Sequence, residues 1–137
     1  MEWPDAKAPT ASRAAGSTEP VPALGAPRRA RNWDEFRTLA AQRMVAANKA
    51  RTYDGAVREP LLAIPVLEIE RHADGSIRRI VVSRTPGQAT DTVQIAIDAV
   101  KRAAPFGEVS HLPKPWKFTE VFLFDDERRF KPATLDL

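Results

Sequence analysis

The run Ala96–Phe124, AIDAVKRAAPFGEVSHLPKPWKFTEVFLF, decides the fold, because a helix, a Pro-rich loop and an aromatic strand follow one another without a break. Val93, Ala96, Ile97, Val100 and Ala104 recur at helical spacing, with Asp98, Lys101 and Arg102 on the opposite face. Pro105 and Gly107 end that helix, since one lacks a backbone donor and the other resists a helical backbone. From about Trp116 to Phe124 the period changes to two. Phe118, Phe122 and Phe124 fall on one face and Thr119, Val121 and Leu123 on the other, the pattern of a strand.

Working back from this run, Asp91 with Gln94 three residues later predicts the helix start, after Thr85-Pro86-Gly87 has ended an earlier element. That element is half of a hairpin. Ile64–Arg71 and Ile77–Arg84 both alternate, and Asp74-Gly75 between them supplies the positive φ that a tight turn needs. The alternation puts Leu67 and Ile69 opposite Ile80 and Val82, with Pro65 tolerable at a strand start. Further back, Asn32 and Glu35 form a capping box for a helix from Trp33 to Asn48, whose apolar stripe is Trp33, Phe36, Ala40, Met44 and Ala47. Residues 49–63, with Tyr53, Gly55 and Pro60, read as a loop.

The element order is therefore α-β-β-α-β. It predicts an α+β fold of two layers, a three-stranded antiparallel sheet packed with two helices. A right-handed crossover carries the third strand past the hairpin to lie beside the first, giving sheet order 2-1-3 and leaving the third strand at an edge. The tail after Asp125 is charged, with Phe130 placed to fold back onto the sheet.

Composition sets bounds on function. The chain has 137 residues, room for one domain, and its 21 Lys and Arg are offset by 18 Asp and Glu, so its charge does not single out nucleic acid. Residues 1–31 are rich in Pro, Ala, Ser and Thr without apolar period, which predicts a disordered linker, and residues 32–137 form the domain. The cluster Arg28, Arg29 and Arg31 sits at their junction and reads as solvated linker. Cysteine is absent, so disulfides and thiolate chemistry are excluded.

Catalytic motifs are missing. His72 and His111 each lack a second ligand at metal spacing, and Ser76, Ser83 and Ser110 sit in no G-x-S-x-G context. Gly75, Gly87 and Gly107 are too far apart to cradle a phosphate. Asp125, Asp126 and Glu127 beside Arg128 and Arg129 read as a turn with local ion pairs. We expect a protein that is not an enzyme, with no cofactor, no metal and no small-molecule substrate.

The segments VLEIERHADGSIRRIVVSRTPGQATDTVQIAIDAVKRAAPF and KFTEVFLF resemble the C-terminal domain of the TonB and TolA energy transducers. The shared features are the Asp-Gly hairpin, the helix ending in an A-x-P-F-like stop and the final aromatic strand. The resemblance implies a periplasmic domain that binds an envelope protein or peptide by β-strand addition to its last strand, in energy transduction or transport across the cell envelope. It also implies that the Pro/Ala-rich start continues a linker tethered to the inner membrane. Carried onto this chain, the partner-binding residues are Trp116, Lys117, Phe118, Thr119, Glu120, Val121, Phe122, Leu123 and Phe124. The same edge is also able to pair with itself in a homodimer. The alternative reading is a nucleic-acid-binding module, in which the strand-three aromatics stack bases beside Arg78, Arg79 and Lys117.

Overall fold

A computed structural model describes residues 24–57 and 59–136. The expected linker falls largely outside the described residues, at 1–23, but residues 24–31 lie against the domain. Ala30 is buried and Leu24 packs on the core. Arg28 and Arg31 pair with Glu35, and Arg29 with Glu108, so the basic cluster is a set of surface ion pairs.

Asn32 caps the first helix, α1 (Trp33–Ala47), its side chain accepting the Glu35 N–H at 2.8 Å. Glu35 reaches one residue beyond the expected box partner, to the Arg31 N–H at 2.8 Å. Phe36, Ala40, Ala41, Met44 and Ala47 form its buried stripe, and Trp33 is half-buried. Asn48 ends the helix from inside the protein, donating to the carbonyls of Met44 and Ala99 and accepting from Arg102.

The hairpin is β1 (Val66–Arg71) and β2 (Ile77–Arg84), in which Leu67 lies opposite Val82 and Ile69 opposite Ile80, as the alternation predicts. Gly75 turns it with φ at 92°, and a Cβ there would stand 1.7 Å from the Phe106 carbonyl oxygen. That approach is a built contact. Phe106 N–H donates to the Gly75 carbonyl and Val109 N–H to that of Ala73, so the segment after the second helix clamps the turn.

That helix, α2 (Asp91–Ala103), starts at a Thr90 cap without a side-chain bond, and Asp91 is its first residue. The Asp91 carboxylate pairs with Arg128 rather than capping. Its buried stripe is Thr92, Ala96, Ala99, Val100 and Ala103, rotated from the expected one, so Val93 and Ile97 are half-buried. The cause is α1, which packs through Asn48 and through Arg43, whose Nε donates to the Ala103 carbonyl.

The last long strand, β3 (Lys117–Phe124), pairs antiparallel with β1, confirming the order of the three expected strands. A fourth strand, β4 (Phe130–Pro132), corrects the count and gives the order β2-β1-β3-β4. Asp125 makes it possible. Its side chain accepts the N–H groups of Glu127 and Arg129, and Arg128 takes a φ of 60° to complete the turn. Phe130 then buries fully against Phe122 and Phe124, ring centroids 5.1 and 5.5 Å away. A ring of that size gains roughly 1.5–3 kcal/mol on burial, enough to hold a three-residue strand.

Both helices cover one sheet face, the one carrying Leu67, Ile69, Phe118, Phe122 and Phe124. Two charged residues share it. Arg71 continues the row Leu67, Ile69, and Glu120 interrupts the phenylalanines, each only 2% exposed.

Candidate functional site

The amides of β3 define what its edge can do. Phe122 and Phe124 N–H groups donate to Pro65 and Ala63, and Arg71 N–H donates to the Trp116 carbonyl. Even-numbered β3 residues therefore direct their backbone polar groups toward β1. Odd-numbered ones direct theirs away. On that outer side β4 pairs with Phe122–Phe124, so the expected edge of Lys117 to Phe124 shrinks to Lys117–Val121. Within it, Val121 N–H is taken by its neighbour's carboxylate, Glu120 Oε2, at 3.0 Å. Thr119 points both N–H and C=O outward, with no strand beside them among the described residues.

Of the nine expected partner-binding residues, the structure gathers few at this edge. Phe118, Glu120, Phe122 and Phe124 face the helices and are buried, while Val121 and Leu123 are half-buried on the open sheet face. Lys117 pairs with Glu68 at 3.0 Å. Trp116 is half-buried, its indole N–H donating to the Leu112 carbonyl at 3.1 Å. The base-stacking surface of the alternative reading is not formed by these phenylalanines, because all three are inside.

A groove of about 600 Å³ runs beside the start of β3, between Trp33, Arg37, Pro113, Lys114, Phe118 and Thr119. Trp33 Nε1 donates to the Pro113 carbonyl at 3.0 Å, so the two indoles bond neighbouring carbonyls at the start of the 112–116 loop. Past that loop lies a second cavity of about 440 Å³, where β1 ends and β2 and β3 begin.

Under its wall is a residue that the sequence analysis did not single out, Arg71. Its guanidinium carbon lies 4.0 Å from the Phe36 ring centre, 5.1 Å from that of Phe118 and 5.5 Å from that of Trp33. None of its three side-chain nitrogens has a hydrogen-bond partner, and burial pushes the group down to about 10. Aromatic faces stabilise the cation where no anion does. Glu120 is the converse case. Burial pushes its carboxyl up, opposed by bonds from Thr134 and Val121, and Oε2 ties the end of the chain to β3. The sequence signal for both is a charged member of an apolar alternating row.

Elsewhere the chemistry is sparse. The His111 ring bonds the Ala30 carbonyl, His72 is exposed, and no group of three His, Asp or Glu able to hold a metal occurs among the described residues. The acidic run is the expected turn, Arg129 pairing with Asp125 and Glu127. No helix among the described residues is long and apolar enough to cross a membrane. Comparisons of the chain with protein-family models, curated proteins and solved structures give no match.

Proposed function

We propose that this domain is a non-enzymatic protein-binding module that captures an extended partner segment by strand addition to β3. The observation that carries the reading is Thr119, whose backbone donor and acceptor face outward at a short edge beside a groove walled by Trp33 and Phe118. Backbone bonds there give affinity and the groove gives side-chain selectivity. The α-β-β-α-β order and the Asp-Gly hairpin agree with the TonB- and TolA-like resemblance. On that resemblance rest the proposed periplasmic location, the tether to the inner membrane, the envelope partner and the role in transduction or transport.

A second reading has a specific observation behind it. On β2, Ile80 and Val82 direct their backbone groups away from β1, no strand pairs there among the described residues, and Val82 is 38% exposed. This edge offers pairing with a second copy, restrained by Arg78, Arg79 and Arg84. Two substitutions separate the readings. Thr119→Pro replaces an outward N–H on β3, and Val82→Pro does the same on β2, each at a position where a sheet edge tolerates proline. Peptides selected by display on the whole chain bind Val82→Pro and not Thr119→Pro if β3 is the site. Binding to a folded Thr119→Pro at unchanged affinity refutes it.

A further inference from the structure

We propose that the cavity at the hairpin end of the sheet is a carboxylate-binding site, and that the carboxylate belongs to the C-terminal side of a peptide lying along β3. The charge around this cavity is unbalanced. Arg71, Arg78, Lys114 and Lys117 line this cavity with a single carboxylate, Glu70. Glu70 is already engaged, by Arg78 at 2.9 Å and Arg79 at 2.7 Å, and Lys117 is engaged by Glu68 at 3.0 Å. Lys114 has no carboxylate partner among the described residues; its ammonium lies over the Trp116 ring, 4.8 Å from the centre. Arg71 contributes a full positive charge from beneath the wall, 2% exposed and without a hydrogen bond on any side-chain nitrogen.

Buried among aromatic rings with no anion beside it, Arg71 is screened less by water than the exposed arginines, so an anion entering the cavity next to it gains more from its charge than from theirs. Lys114 makes the contact, and Arg71 adds its field from the buried side. The walls also select. Ala73, Pro115 and Trp116 add apolar surface beside the cationic groups, which suits a carboxylate carried on carbon better than inorganic phosphate.

The source of the carboxylate follows from direction, and this step alone rests on the strand-addition reading. Every strand pair in the sheet is antiparallel. A peptide added to β3 in the same sense runs from Val121 toward Lys117. Its C-terminal end then meets Lys114, Pro115 and Lys117, which line both the groove and the cavity.

The test uses the whole chain and tryptophan fluorescence. Butyrate gives a saturable change, phosphate at equal concentration gives none, and Lys114→Ala and Arg71→Met each weaken butyrate binding about tenfold or more. Arg84→Ala leaves it unchanged. No saturable response to butyrate, stronger binding of phosphate, or an equal response in Lys114→Ala overturns the site. An acetylated Val-Thr-repeat pentapeptide with a free C-terminus is then compared with its amide, in the wild type and in Thr119→Pro. Tighter binding of the free acid in both proteins, with both peptides weakened by Thr119→Pro, supports site and source together. Free-acid preference without any loss in Thr119→Pro overturns the β3-bound peptide as the source and leaves the butyrate result to stand for the cavity.

Discussion

Replacing Arg71 by Met keeps a flexible side chain among Trp33, Phe36 and Phe118 while removing the charge, and its effect can be worked out from the structure. The guanidinium is pushed down to about 10 by burial, from an ordinary value above 12. At about 1.4 kcal/mol per decade, that is a cost of roughly 3 kcal/mol to the folded state at neutral pH. Cation–π contacts offset part of it: each is worth about 0.5–2 kcal/mol, and one guanidinium stacks fully on only one ring, so about 2 kcal/mol is recovered. Arg71→Met should therefore stabilise the domain by about 1 kcal/mol at pH 7 in urea unfolding. The sign with pH follows from linkage. A base whose folded value is lowered leaves the unfolded chain holding more protons above pH 10, so wild-type stability gains there relative to the variant. The variant's advantage should shrink between pH 8.5 and pH 11. A loss of more than about 1 kcal/mol at pH 7 in Arg71→Met, or a gap constant across that range, refutes the reasoning and makes the charge itself a structural need of the aromatic cage.

Glu120→Gln should be neutral or stabilising at pH 7, since a carboxyl raised by burial costs stability above its unfolded value and Gln Oε1 can still accept from Val121 and Thr134. Any gain should fade as pH falls toward 4, and equal curves for the two proteins across pH 4–7 would count against a buried ionised Glu120. Gly75→Ala should lower stability by at least about 2 kcal/mol, because the new methyl meets the Phe106 carbonyl and the backbone there has φ of 92°. Thermal unfolding checks it, and a midpoint unchanged within error would show that the 106–109 segment does not clamp the turn.

The hairpin, both helices and the 2-1-3 order were legible because each rests on a local signal: Asp-Gly at the turn, Asn32 and Glu35 at a cap, Pro105 and Gly107 at a stop. The fourth strand was hidden. Its turn uses Arg128 at positive φ instead of Gly or Asn, and Pro132 occupies one of its three residues, so only the apolar Phe130 betrayed the return of the chain. That omission matters for the site, since β4 covers Phe122–Phe124, the last three residues of the edge onto which the resemblance was carried. The rotation of the α2 stripe depends on where α1 lies, through Asn48, and period alone cannot report a partner helix. Arg71 and Glu120 were missed for another reason: each sits in an apolar alternating row, two residues from Ile69 and from Phe118, but its charge argued against burial.

In the proposed function a partner strand pairs with Thr119. Hydrogen exchange resolved to single amides, measured with and without a saturating peptide selected on the whole chain, tests it most directly. New protection is expected at Thr119, with Ile80 and Val82 unchanged. Protection appearing at those two β2 amides while Thr119 exchanges as before would contradict it.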